Sequence, residues 1–423
     1  MEERVCVTEL FCQLAGVFTA HGDDRIIPMP TLTRFILLYA AMYAGFGVAS
    51  PFLPAFMNQR GLAPEQLGLV LSAGTAVRLL TSPLAGRVGD LIHSLRRVLI
   101  FCLVLAATVT LGYFGARGFW LLLGMSLLHA ASLAPITVLS DALALGSATA
   151  RSRSGASGFE YGWVRGAGSA AFILGTLVSG QAVGALGLEV IVGLQAALLG
   201  AAACGALAVP DLSYERVPNA TPIERGGVMA LLRMPVFRHM VIIAALILGS
   251  HAMHDAFAVI RWSAAGIKPS VVSVLWSESV AAEVVVFFVI GPAAVTLLTP
   301  AGALAVAALA GIVRWAVVAQ TTDLLALALV QPLHGITFAL LHLACMRLLS
   351  RIVPNGLEGT AQAIYGTVGI GAASALLTLV SGTLYGRFGA QGFWGMALLC
   401  VVALPLTYKL REPAISNRNA ASV

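Results

Sequence analysis

Nine ionisable side chains stand in otherwise apolar sequence: Arg78, His129, Asp141, Arg165, His251, Asp255, Glu283, Arg314 and His334. A charge at the centre of a lipid-spanning helix costs about 2.5–3.5 kcal/mol, so each needs a partner or a purpose. Glu283 is the expected proton carrier, since a carboxyl withdrawn from water binds and releases its proton according to its burial and neighbours. His334 is the second candidate, because imidazole exchanges protons near neutral pH. Arg314 is a cation that could tune that acid. Arg78 is the expected anchor for an anion, because a guanidinium holds a carboxylate through two parallel hydrogen bonds. Tyr39, Tyr43 and Trp276 could flank a flat ring, or simply sit at the membrane interface as such side chains often do. The expected substrate-binding set is therefore Arg78, Tyr43, His251 and Trp276. Asp141 with Arg165 reads as a gating salt bridge or as a static pair, and Asp90 with Arg87 or Arg96 as a loop latch. Asp255 could pair with Arg261. The alternative for all of these groups is that they are polar ties between helices.

Other chemistries lack their residues. HExxH, GxSxG and GxxxxGK[ST] do not occur, which argues against a membrane enzyme and against ATP drive. The run His251-Ala252-Met253-His254-Asp255 is a poor zinc set without a further ligand. Cys6, Cys12, Cys102, Cys204, Cys345 and Cys400 are scattered without metal-type or disulfide-framework spacing. No metal or cofactor is called for.

Apolar helices must position these groups. Of 423 residues, 59% are hydrophobic and 10% charged, with a mean hydropathy of +0.91. Soluble domains carry about 25% charged residues, so this surface faces lipid. The net charge of +6 is spread between apolar runs and does not point to nucleic acid. A bilayer core takes about 20 residues per helix, and the apolar runs predict twelve. They fall at 33–57, 64–85, 97–115, 118–146, 158–183, 187–208, 236–260, 269–291, 295–320, 323–349, 358–385 and 391–409. Residues 1–30 read as a tail, disordered or a start misplaced upstream of Met29. The expected halves are 31–208 and 236–410, with a cytoplasmic linker at 209–235 and a tail at 411–423.

Arginines crowd the segments at 87–97, 151–153, 216–238 and 347–351. The opposite loops hold only Arg60, Arg117, Arg261, Lys268 and Arg387. The positive-inside rule puts the first set, and both termini, in the cytoplasm. Lysine occurs only at Lys268 and Lys409, a bias expected of a GC-rich bacterial genome and hence of a bacterial inner membrane.

The chain also repeats itself. Gly61-Leu62-Ala63-Pro64 recurs 205 residues later as Gly266-Ile267-Lys268-Pro269, and Leu128-His129-Ala130 as Leu333-His334-Gly335. Leu177-Val178-Ser179-Gly180 recurs at an offset of 202 as Leu379-Val380-Ser381-Gly382. Two parallel halves flanking a midplane site are a transporter layout. Arg78 and Glu283 also stand 205 apart, which predicts opposite walls of a shared cavity.

Gly86-Arg87-Val88-Gly89-Asp90, with His93 and Arg96-Arg97 beyond it, resembles the loop motif of the major facilitator superfamily. The second-half counterpart, Gly291-Pro292-Ala293-Ala294-Val295, lacks the acid. Several stretches are similar to the phenylpropionate permease branch, related to lactose permease and the nucleoside–proton symporters. They are Tyr161-Gly162-Trp163-Val164-Arg165 with Gly168-Ser169, Glu283, Arg314-Trp315, Leu333-His334-Gly335-Ile336-Thr337-Phe338, and Gln362-Ala363-Ile364-Tyr365-Gly366. The resemblance spans nearly all of 31–410. It implies an all-α membrane protein, twelve transmembrane helices in two pseudo-symmetric six-helix bundles. It also implies alternating-access symport of a proton with a small organic solute, such as an aromatic monocarboxylate, by a chain working as a monomer. Glu283, Arg314 and His334 on successive helices resemble the proton machinery of lactose permease, though the further acid of its tenth helix is absent here. A proton-driven exporter on the same fold is the first rival, and a membrane enzyme or non-transporting receptor the second.

Overall fold

The computed structural model describes residues 29–153, 159–211 and 225–410. The expected tails over 1–28 and 411–423, and the linker over 212–224, lie outside the described residues. Every regular element among the described residues is helical. Lipid offers no partner to backbone N–H and C=O groups, so a span must satisfy them internally.

Ten continuous helical stretches are long and apolar enough to cross a bilayer, where the sequence predicts twelve. Two of the ten double back. Pro269–Gln320 is 52 residues long, about 78 Å if straight and more than twice a bilayer core. It reverses at Thr299, which leaves helical geometry with φ 63° and ψ 161° just before Pro300. Glu283 and Arg314, on either side of that point, both reach His334. A straight helix would hold them about 46 Å apart. Glu358–Tyr408, 51 residues, reverses at Gly389, φ 54°. Before the turn Leu377 lies against Gly249, and after it Cys400 lies against Ser250.

The passes are then α1 (Thr31–Ala49, continued by Leu53–Gln59), α2 (Pro64–Leu91), α3 (Leu95–Gly112), α4 (Phe119–Arg153), α5 (Tyr161–Leu186) and α6 (Val190–Ala208). They continue as α7 (Pro235–Ala264), α8 (269–298), α9 (300–320), α10 (Leu324–Ile352), α11 (358–388) and α12 (Phe393–Tyr408). The region expected as a linker contains a short helix, Arg225–Arg233. α1 is interrupted at 50–52, around Pro51, rather than running unbroken to 57. α7 is interrupted at Ser250–His251. There the Ser250 hydroxyl donates to the Ile247 carbonyl at 2.6 Å and accepts from Trp315 Nε1 at 2.8 Å, side-chain bonds of the kind that bend a helix. π-turns follow Glu283 in α8 (Val286–Ile290) and His334 in α10 (Ile336–Leu340). Such turns are frequent at functional sites.

Three buried cores show how the halves meet. One gathers Phe35, Leu99, Leu139 and Leu199 from α1, α3, α4 and α6. A second gathers Ile243, Leu304, Leu341 and Ala403 from α7, α9, α10 and α12. The third is common to both halves, joining Phe56, Leu67 and Ile191 to Phe257, Trp262, Trp315 and Phe393. It lies at the end away from the arginine-rich segments. The halves therefore meet at one end and have separate cores at the other.

The closest approaches at the joined end reuse the repeat. A Cβ on Gly180 would lie 2.8 Å from the Pro269 carbonyl and within 2.5 Å of the Ser273 side chain. A Cβ on Gly382 would lie 2.7 Å from the Pro64 carbonyl and 3.0 Å from Gly68. Pro64 and Pro269, Gly68 and Ser273, and Gly180 and Gly382 are repeat mates. The same motif pair thus packs twice, α5 on α8 and α11 on α2.

Candidate functional site

A cavity of about 690 Å³ lies between the halves, within the size range of small-molecule sites. Arg78 of α2, His129 of α4 and Gln195 of α6 line one wall, Phe46 of α1 and Phe172 of α5 add aromatic surface, and α7 contributes Asp255. The Arg78 guanidinium makes no hydrogen bond or ion pair with the described residues. His129 Nε2 and the Tyr113 hydroxyl beside it are also buried without hydrogen-bond partners. A cation with open donor sites in a concave, part-apolar space can receive a carboxylate.

Of the expected substrate-binding residues, only Arg78 lines this cavity. Tyr43 stacks on Tyr39, with the Arg165 guanidinium 4.9 Å from its ring centroid. His251 is buried against Trp315 and His334, and Trp276 stacks on His254 at 5.2 Å. The break in α7 points Asp255 to the cavity and turns His251 and His254 into the second half. Glu283 does not line the cavity with Arg78; it lies on α8 against His334 of α10.

Glu283, His334 and Arg314 come together as the sequence predicts. His334 Nε2 is 3.4 Å from Glu283 Oε2, and its Nδ1 is 3.1 Å from Arg314 Nη1. A guanidinium only donates, so Nδ1 accepts, and the proton of the neutral ring sits on Nε2, facing the carboxylate. Gly335 allows this approach: a Cβ there would fall 2.6 Å from the Ala282 carbonyl. Arg314 is fully buried and has no carboxylate within salt-bridge distance among the described residues. It donates through Nη2 to Gln331 Oε1 at 3.0 Å. Sequence reasoning passes over Gln331, a neutral residue, although a glutamine between Leu324–Val330 and the following apolar run is itself out of place there.

The expected latches are not formed. Asp141 Oδ1 accepts from the Tyr39 and Tyr161 hydroxyls at 2.5 and 2.7 Å, and Arg165 lies instead against the Tyr43 ring. Asp90 and Arg87 are exposed where the cores are separate and have no hydrogen-bond or ion-pair partner among the described residues. Arg96 instead lies 3.8 Å from Asp211, a residue not anticipated, which also accepts from Ser94 at 2.5 Å. Arg261 turns from Asp255 to the Thr321 carbonyl at 3.3 Å.

A sequence profile described as the MFS_1 like family matches residues 32–396. The probable 3-phenylpropionic acid transporter of Escherichia coli (strain K12) is 32% identical over 387 residues, covering 89% of this chain and 98% of its own. Maltose permease of Geobacillus stearothermophilus is 25% identical over 374 residues, covering 88% and 92%. Among solved structures, the nucleoside transporter NupG superposes with a TM-score of 0.78 over 90% of this chain and 98% of its own at 16% identity, a likeness of fold. The chain belongs to the MFS_1 like family and is a multi-pass membrane transporter of the major facilitator fold, not an enzyme.

Proposed function

We propose that this transporter carries a small aromatic monocarboxylate together with a proton, and that a single chain suffices. The observation that supports this best is the Glu283–His334–Arg314 arrangement. Arg314 occupies the Nδ1 lone pair of His334, so a second proton cannot enter the ring there without breaking that bond. The exchangeable proton therefore belongs to Glu283, with His334 presenting Nε2–H to the ionised form. Arg78 takes the cargo carboxylate in the cavity, and Phe46 and Phe172 supply surface for a ring. The cargo class follows the relative's printed substrate. Two halves joined at one end suit alternating access, with Asp90, Arg87, Asp141 and Arg165 re-pairing when the arginine-rich end closes. That end faces the cytoplasm of a bacterial inner membrane.

The test is external alkalinisation when 3-phenylpropionate is added to proteoliposomes. Wild type should alkalinise the medium, and Glu283→Gln should lose the proton signal while still exchanging labelled 3-phenylpropionate for unlabelled. Solute uptake without a proton signal in wild type, or a proton signal intact in Glu283→Gln, would sink this reading.

A further inference from the structure

Arg314 is the midpoint of a polar chain running out of the Glu283 site in the other direction. Its Nη2 donates to Gln331 Oε1 at 3.0 Å, which Ser279 Oγ also meets at 3.2 Å. With that oxygen occupied as acceptor, the Gln331 amide nitrogen faces His254 Nε2 at 3.4 Å and must donate to it. The His254 proton is then on Nδ1, 3.5 Å from Asp255 Oδ1. Along these contacts each donor meets an acceptor, while Arg314 Nε is buried without a hydrogen-bond partner among the described residues. Two arms leave one buried guanidinium, through Gln331 and His254 to Asp255 and through His334 to Glu283. Each arm ends on a carboxylate. The end contacts are long, at 3.4 and 3.5 Å. The Asp255 side chain is 62% exposed and lines the cavity that holds Arg78.

We propose that Asp255 is the cargo-side end of a hydrogen-bonded relay, Asp255–His254–Gln331–Arg314–His334–Glu283, which makes protonation of Glu283 depend on what occupies the cavity. It rests on the proton-coupled reading above and adds residues that reading does not use. A buried cation satisfied only through neutral bridges must divide its hydrogen bonding between the two arms, and polarised chains strengthen or weaken together. A donor group of the cargo, or a proton, at Asp255 weakens the pull on His254 Nδ1–H. Gln331 and Arg314 then reorient toward the other arm. Asp255, His254 and Gln331 are positioning residues, acting on Glu283 through Arg314.

The charged and titratable groups facing this relay are few. α7 brings His251, α2 brings Arg78 across the cavity, and α12 brings Cys400 near Arg314. α10 adds His342 near Glu283, and α11 sets Tyr385 on Phe257. The facing segment of α1, Leu53–Gln59, carries no titratable side chain.

The test needs no cargo. Infrared difference spectra of the purified full-length protein, titrated with acid, contain a carboxyl C=O band from protonated Glu283, identified by its loss in Glu283→Gln. Asp255→Asn should move the midpoint of that band by about half a pH unit or more. The shift should vanish when Gln331→Leu, or Gln331→Asn with an amide one methylene too short, is added. A midpoint indifferent to Asp255→Asn overturns the relay. So does a shift of the same size with and without Gln331, which would mean bare electrostatics across the second half. Failure to transport 3-phenylpropionate would instead count against the cargo reading and leave this titration valid.

Discussion

Arg78 keeps a guanidinium without a partner among the described residues, in a cavity it shares with His129, Gln195 and Asp255. A hydrogen bond to a charged group contributes about 1.5–3 kcal/mol, so losing the Arg78–carboxylate contact should weaken binding roughly ten- to hundredfold. Arg78→Gln should show this in calorimetric titration with 3-phenylpropionate, and Arg78→Lys, which keeps the charge without the fork, should fall between. Unchanged affinity in Arg78→Gln would remove Arg78 from the site. At this scale the sequence exposes charged residues well and neutral ones badly. Arg78, Glu283, Arg314 and His334 stand out because lipid penalises them. Gln331, at the centre of the polar chain, carries no charge to mark it. Tyr43, His251 and Trp276 lie at a plausible depth, but depth alone does not say which way a side chain points.

The contacts between helices at the joined end follow from the internal repeat. Gly180 on Pro269 and Ser273, and Gly382 on Pro64 and Gly68, place backbone against backbone, so added bulk cannot be absorbed by a flexible side chain. Overpacking costs about 1–3 kcal/mol, enough to shift an equilibrium between two arrangements of the halves roughly five- to hundredfold. Gly382→Leu should therefore favour the arrangement with this end parted. Spin labels on cysteines replacing Arg97 and Asn355, exposed at the arginine-rich end, should show a shorter mean distance in Gly382→Leu than in the parent. An unchanged distribution in folded protein would mean that α2 and α11 do not part there. The repeat at 205 and 202 residues makes this pairing legible in the sequence. The interruptions of α1 at 50–52 and α7 at Ser250–His251 were not, because apolar periodicity continues through them and the bend at Ser250 depends on Trp315, far away in the chain. That both long stretches must turn was legible, since no single helix of such length fits a bilayer. The turn at Gly389 falls between the expected 358–385 and 391–409, but the one at Thr299 lies inside the expected 295–320 rather than at 292–294.

For the whole molecule, one common core at one end and two separate cores at the other make orientation decide which compartment the cavity serves. The arginine-rich ends are the separated ones. Lys and Arg near span ends are retained on the cytoplasmic side during insertion, so the arrangement seen here would receive and release cargo on the cytoplasmic side. Orientation is measurable without a substrate. In a cysteine-free background, a membrane-impermeant thiol reagent added to intact cells should label a cysteine replacing the exposed Arg117, between α3 and α4. It should label one replacing Arg97 only in inverted vesicles. The opposite pattern would place the separated ends outside. Proton-driven uptake would then have to begin from the arrangement described here rather than end in it, and the Asp90–Arg87 region would close the outer face.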